Sequence, residues 1–170
     1  MTEPTIVRKH CNRSQREQRR RTAAIALELI LALPLLFIGL FGVVEFAAYF
    51  SGAQQVALAS RVGAEEASQI VLPITTGPVP PAVVDAVLAQ LGSAGISFCK
   101  IILEHNIGGM YEQSVGDCDC DPPATPLPPQ SVRVTVCVPM TELVPNILST
   151  FGFDVEDKTV QHSTVFRYEL

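Results

Sequence analysis

The N-terminal third of the chain contains one long apolar stretch that is typical of a membrane-spanning helix. It covers residues 23–50, and the sixteen residues between Glu28 and Glu45 include no charged side chain. A bilayer core requires about twenty mostly apolar residues in a helix. The pattern therefore predicts a transmembrane helix over 23–50. The alternative, a buried helix of a soluble protein, does not explain the seven basic residues that precede it.

Helical patterns continue beyond the span. Residues 51–72 are rich in Ala and Gln with larger apolar residues at intervals, which predicts that the spanning helix continues until Pro73 stops it. A second helix is predicted over 81–91, because Pro81 suits the first helical position and Gly92 follows the last one.

The C-terminal half changes to strand-like patterns. Residues 96–104, 131–138 and 159–168 are rich in β-branched residues, and 131–138 alternates regularly. We expect 105–130, which is rich in Gly and Pro, to be a loop, and 140–151 to be a short helix or turn. Strands separated by loops favour an antiparallel sheet. The expected fold class is α+β: a long N-terminal transmembrane helix that continues into a small domain with a short helix and an antiparallel sheet.

Charge is distributed unevenly along the chain. Residues 1–22 hold seven of the twelve Lys and Arg against two acids, whereas 51–170 hold five basic residues against thirteen acids. Basic residues beside a span stay in the cytoplasm, so the C-terminal part is expected outside it. A removable signal peptide, the alternative, has an apolar region about half as long. We predict a basic cytoplasmic leader (1–22), the transmembrane helix (23–50), its outer extension (51–72) and a small extracytoplasmic domain (73–170).

Two residues within the span, Glu28 and Pro34, are unexpected for a simple membrane anchor. A carboxylate in lipid costs a few kcal/mol, so Glu28 is a functional candidate. The alternative is that Glu28 reaches the inner interface beside Arg21. Pro34 removes a backbone donor and predicts a kink or local unwinding. Glu28, Pro34 and Glu45 are the predicted membrane-packing residues.

Four of the five cysteines are expected outside the cytoplasm, where disulfides persist. These are Cys99, Cys118, Cys120 and Cys137, whereas Cys11 lies in the leader and should stay reduced. A bond between Cys118 and Cys120 would close a small, strained ring, which leaves two other pairings open. A four-cysteine zinc site, for which the C-x-C spacing is poor, and free thiols are the alternatives.

Motifs of catalysis, metal binding and nucleic-acid binding are missing from the sequence. It contains no G-x-S-x-G, phosphate loop or H-E-x-x-H. Asp117, Asp119 and Asp121 have the spacing of a calcium loop, but Pro122 and Pro128 occupy the positions that require Gly and Glu. The acidic C-terminal part also disfavours a nucleic-acid surface. We therefore expect no enzyme, no metal, no cofactor and no nucleic-acid partner.

The order of residues around the span resembles the TadE-like family of pseudopilins from tight-adherence pilus systems. The resemblance covers about residues 19–67. The resemblance rests on the order of six short motifs. Before and within the span these are three arginines (Arg19–Arg21), Glu28, Pro-Leu-Leu (Pro34–Leu36) and Gly-Val-Val-Glu-Phe (Gly42–Phe46). After the span come two glutamines (Gln54 and Gln55) and an Ala-x-Arg-x-Gly-Ala run (Ala59, Arg61, Gly63 and Ala64). It implies a pilin-like, single-pass protein of the bacterial inner membrane that binds other pilins or pseudopilins and pilus-assembly platform proteins.

The resemblance also implies cleavage by a prepilin peptidase. The cut would fall between Ala23 and Ala24, which makes Glu28 the fifth residue of the mature chain. Ala23 stands where the family usually has Gly, which leaves cleavage open. If the cut occurs, Glu28 neutralises the freed amino group of a neighbouring subunit, because two buried charges are tolerated only as a pair.

We therefore expect a protein that takes part in assembling a tight-adherence pilus, a type II-related secretion apparatus. The alternative is a membrane-anchored extracytoplasmic binding module with no pilus role. A gene beside those for a secretion ATPase, platform proteins and a prepilin peptidase favours the first, and an isolated gene favours the second.

Overall fold

A computed structural model describes residues 5–70, 77–145, 149, 152 and 155–168, with side chains from residue 26 onward. The expected α+β class is confirmed, since one long helix precedes a small domain with short helices and a four-stranded antiparallel sheet. The elements are α1 (Thr5–Gln69), α2 (Pro81–Gly92), β1 (Lys100–Asn106), β2 (Met110–Gly116), β3 (Ser131–Pro139), α3 (Met140–Leu143) and β4 (Thr159–Arg167). The chain forms two compact units, Met1–Val43 and Val44–Leu170, and we call the second unit the head.

Helix α1 begins earlier than the apolar pattern predicted. It begins at Thr5 rather than near Ala24, because the leader holds many good helix formers and no Pro or Gly between Thr5 and the span. Pro34 lies inside α1 without interrupting it. The predicted C-terminal stop at Pro73 lies outside the described residues. The segment Ala26–Gln69 contains a stretch of mean hydropathy 2.5 and is long and apolar enough to span a membrane.

The sheet has the strand order β2-β1-β3-β4, and every neighbouring pair is antiparallel. The prediction of a loop over 105–130 was wrong in its first part, because that range contains β2. A tight turn with Gly108 at φ +67° joins β1 to β2. β2 forms an edge of the sheet with mostly exposed side chains, so its sequence carries little of the apolar alternation that identifies a strand.

The other elements lie close to their predicted positions. α2 extends one residue beyond the predicted 81–91, and β3 and β4 match the predicted strands within one residue. β1 begins at Lys100, four residues later than expected. α3 occupies the start of the segment predicted as a short helix or turn, and several residues after Pro145 lie outside the described ones.

The main core lies between the C-terminal part of α1, helix α2 and one face of the sheet. A Cβ atom at Gly63 would lie 2.7 Å from Cγ2 of Val87 and 3.2 Å from Cγ1 of Val134, so the absence of a side chain permits this close approach. The outer part of α1 thus covers the apolar sheet face. The buried apolar residues of this core include Val56, Ala59, Ala64, Ala67, Val83, Val87, Leu91, Ile101, Leu103, Val132, Val134, Val136 and Val138.

The second face of the sheet is covered by residues 117–130, which we call the proline-rich loop. Asn106 donates from its side chain to the carbonyl of Leu127 at 2.8 Å, and Lys100 Nζ donates to the carbonyl of Cys120 at 2.9 Å. Because both faces are covered, β3 is buried from its first residue to its eighth. Its alternating sequence predicted two distinct faces and did not reveal that the polar one is also buried.

Candidate functional site

One face of α1 within the unit Met1–Val43 combines Glu28 with two glycines. At about 100° per residue, Glu28, Leu35, Gly39 and Gly42 fall within a sector of about 60°. Glu28 is exposed, and Leu35 is 79% exposed. A Cβ atom built at Gly39 or Gly42 meets nothing within 4 Å. Glycines on an open face allow the backbone of a second helix to approach closely in a membrane.

The remaining residues predicted for the span have different environments. Pro34 lies inside α1, and Glu45 is half-buried and has an interaction partner. Ala23 and Ala24 belong to α1, but their side chains lie outside the described ones. Cleavage between them stays a prediction. Glu28 is therefore the residue of this set whose described side chain is both charged and fully open to a partner.

The structure joins the four C-terminal cysteines in one of the two pairings that the sequence left open. Cys99 is bonded to Cys118, with Cα atoms 5.8 Å apart, and Cys120 is bonded to Cys137, with Cα atoms 6.5 Å apart. Both bonds attach the start of the proline-rich loop to the ends of β1 and β3. Closing loops of this length stabilises a domain by about 3 kcal/mol per bond. Cys11 has no described side chain.

The described side chains do not form a metal centre. No group of three or more His, Cys, Asp and Glu among them is placed to hold an ion. The four paired cysteines have no thiolate to offer, and the thiolate is the form that binds zinc.

Ser60 and His162 lie next to each other, which no local pattern in the sequence indicated because 102 residues separate them. Ser60 Oγ lies 2.9 Å from Nδ1 of His162 and 2.8 Å from the hydroxyl of Thr164. It also donates to the carbonyl of Ala57 at 2.9 Å. Ser60 is completely buried, so it cannot attack a substrate as a nucleophile would. These bonds instead tie α1 to β4.

A buried ion pair joins the sheet to the proline-rich loop. Arg133 Nη1 lies 3.1 Å from Oε2 of Glu104, and the same guanidinium donates to the carbonyls of Pro123 at 3.1 Å and Thr125 at 2.6 Å. Burial raises the pKa of the Glu104 carboxyl, although Arg133 opposes this shift. Arg133 therefore positions the loop, and its charge is not available to a ligand.

A second polar contact lies on the helix-facing side of the sheet. His105 Nδ1 is hydrogen-bonded to the hydroxyl of Tyr168, and the two rings are stacked at 15°. Burial lowers the pKa of His105, opposed by a hydrogen bond with Gln113, and burial raises the pKa of Tyr168 to about 12. Both groups are therefore neutral near pH 7, which suits a structural contact rather than proton transfer.

Comparison with known protein families gives a match over part of the N-terminal helix. No curated protein and no solved structure is significantly similar to the chain. The segment that does match carries Glu28, the open glycine face and three α1 residues of the main core within the head, Val56, Ala59 and Ala64. Residues 23–65, about a quarter of the chain, match the family described as TadE-like protein, which confirms the resemblance predicted from the sequence.

Proposed function

We propose that the protein is a pseudopilin-like membrane protein that takes part in assembly of a tight-adherence, Flp-type pilus. The match of residues 23–65 to the TadE-like family is the observation that carries this proposal. The membrane is its first partner, through the apolar part of α1. Other pilins or pseudopilins and the platform proteins of the pilus apparatus are its protein partners.

The open face of α1 supports a role in helix-to-helix recognition. Lipid tails are as apolar as Leu, so helices associate in a membrane through close packing and polar contacts. Gly39 and Gly42 offer close packing, and Glu28 offers a polar contact on the same face. A carboxylate in lipid is costly unless it meets an opposite charge or a donor. A neighbouring subunit supplies that partner in our proposal.

The head supports a role in assembly rather than catalysis. Its polar contacts hold its own elements together: Ser60 joins α1 to β4, and Arg133 joins β3 to the proline-rich loop. Two disulfides stabilise the same loop, which suits a head outside the cytoplasm. We therefore place the leader in the cytoplasm, α1 across the bacterial inner membrane and the head on the extracytoplasmic side, with no enzymatic activity.

Deletion of the gene in the source bacterium tests the proposed function. The account predicts that surface pili disappear, as counted by electron microscopy, and that the full-length gene restores them. Immunoprecipitation of the restored, tagged protein from detergent-solubilised membranes should recover pilus-platform proteins. Normal pili after deletion, with no platform protein recovered, would favour the membrane-anchored binding module instead.

A further inference from the structure

The two disulfides hold the same loop but differ in their access to solvent. Cys120 is 5% exposed and Cys137 is completely buried. Cys99 and Cys118 are half-buried and line an open surface groove of about 830 Å³. A disulfide can react only where a thiolate reaches one of its sulfur atoms. We propose that the Cys99–Cys118 bond is a thiol–disulfide exchange site, whereas the Cys120–Cys137 bond is a permanent structural link.

The charges around the groove select the thiol that reacts. Among the described residues that line it, three are acids, Asp119, Glu156 and Asp157, and one is a base, Lys158. The attacking species is a thiolate, which is an anion. The net negative charge around the groove lowers the local concentration of thiols that carry additional negative charge. The co-reactant is therefore a dithiol protein or small thiol whose contacting surface is neutral or basic. The preference for a neutral or basic co-reactant should weaken at high salt, because salt screens the charges around the groove.

The exchange proceeds in two steps that transfer two electrons. A thiolate of the co-reactant attacks Sγ of one cysteine, the Cys99–Cys118 bond breaks, and the other cysteine leaves as a thiolate that takes a proton from water. A second thiolate, from the same dithiol protein or from another small-thiol molecule, then attacks the co-reactant's sulfur in the mixed disulfide. The co-reactant leaves as its own disulfide, oxidised by two electrons, and Cys99 and Cys118 become thiols. In the reverse direction, a thiolate of Cys99 or Cys118 attacks the disulfide of the oxidised co-reactant, and the same two steps run backwards.

The surrounding contacts keep the two thiols close after reduction. The backbone N–H of Cys99 donates to the carbonyl of Cys137 at 2.9 Å, which fixes the end of β1. Cys118 lies two residues before Cys120, which remains bonded to Cys137. The guanidinium of Arg133 still holds the loop further along at Thr125. Reduction at this site is therefore local and reversible, and it leaves the rest of the proline-rich loop in place.

Graded reduction of the full-length protein in detergent micelles tests the proposal. Cys11 is first blocked with N-ethylmaleimide, dithiothreitol is added in steps, and new thiols are trapped with iodoacetamide and assigned by peptide mass spectrometry. Cys99 and Cys118 should be labelled together, about tenfold faster than Cys120 and Cys137. Removal of dithiothreitol in air should restore the bond. Labelling of Cys120 and Cys137 first, or all four at one rate, would overturn the proposal.

A second measurement tests the charge preference. The rate at which each small thiol reduces the Cys99–Cys118 bond is divided by its rate with a small, uncharged disulfide, which removes the difference in intrinsic reactivity. At low salt, this corrected rate should be several-fold higher for cationic cysteamine than for anionic 2-mercaptoethanesulfonate. Asp119→Asn should narrow this difference, whereas Glu112→Gln, an exposed β2 residue that does not line the groove, should leave it unchanged. Equal corrected rates for the two thiols in the unaltered protein would contradict the selection of a neutral or basic co-reactant.

Discussion

Arg133 on β3 and Glu104 on β1 form an ion pair at 3.1 Å whose side chains are only 3% and 8% exposed. The two residues are direct cross-strand partners in the sheet. The same guanidinium also donates to the carbonyls of Pro123 and Thr125 in the proline-rich loop. One cation thus satisfies the buried carboxylate and fixes the segment that covers the second face of the sheet.

Arg133→Met should destabilise the head strongly. The substitution leaves a carboxyl group buried without its cation and removes the donor to Thr125, and breaking a buried pair in this way costs about 3–5 kcal/mol. Urea unfolding of the full-length protein in micelles, followed by protease sensitivity of the head, measures the loss. The double variant Arg133→Met/Glu104→Leu should recover part of it. A loss below about 1 kcal/mol would show that the pair is not needed to hold the loop.

Gly63→Ala should also destabilise the head. The new methyl group would overlap Cγ2 of Val87 at 2.7 Å, and overpacking of a core costs about 1–3 kcal/mol, partly offset by the better helix propensity of Ala. Gly92→Ala is the matched control, because a Cβ atom there meets nothing within 4 Å. The same urea assay should show a loss for Gly63→Ala and none for Gly92→Ala. Equal stabilities would mean that α1 does not pack as closely as described.

Periodicity predicted the elements whose apolar residues recur regularly along the sequence. Helix α2 and strand β3 were located within one residue because their apolar residues recur with the period of a helix or a strand. Strand β4 was also located within one residue, from its β-branched residues. β2 was missed because an exposed edge strand has no apolar face to display. The cost of a carboxylate in lipid makes Glu28 a functional candidate from the sequence alone, and its role stays a prediction.

No periodic pattern in the sequence indicated that the proline-rich loop covers the second face of the sheet. This cover depends on contacts between residues that follow no period, such as Arg133 with Thr125 and Asn106 with Leu127. The pairing of the four cysteines depends on the same arrangement, so the sequence left two pairings open. Ser60 meets His162 only because α1 packs beside β4, which the strand order decides.

Acidification should lower the stability of the folded protein, because the imidazole of His105 is buried. Burial lowers the pKa of His105 in the folded protein, whereas the unfolded chain has a pKa of about 6.5. The unfolded state therefore binds the proton more readily, and stability falls as the pH drops below about 6.5 towards the folded pKa. Urea unfolding between pH 5 and pH 8, a range chosen around that value, should show this slope in the unaltered protein. His105→Gln should reduce it, and an identical slope in both would contradict the burial effect.

The orientation of the chain is testable with reporter fusions. An alkaline phosphatase domain, active only outside the cytoplasm, should be active when fused after Leu170 and inactive when fused at Arg13. We expect this result because basic residues beside a membrane span generally stay on the cytoplasmic side, and the leader holds seven of them. A cytoplasmic reporter at the same two positions should give the complementary result. Reversed activities would contradict the orientation derived from the basic residues.

Pilus assembly by Glu28→Leu protein tests the central claim most directly, since it separates a recognition role of this carboxylate from membrane anchoring. Leu favours insertion by about half a kcal/mol, whereas a carboxylate such as Asp opposes it by about 3 kcal/mol at the helix centre. The variant should therefore stay in the membrane at equal or higher abundance. Glu28→Asp, which keeps the carboxylate, and Leu33→Ala, which lies on another face of α1, are the controls.

The measurement is the number of surface pili per cell in a strain that carries each variant in place of the natural gene, alongside the amount of protein in the membrane. The account predicts that Glu28→Leu abolishes pili at normal membrane abundance, while Leu33→Ala assembles them and Glu28→Asp retains part of the assembly. Normal pilus numbers with Glu28→Leu would contradict the account and would assign Glu28 to the inner membrane interface instead.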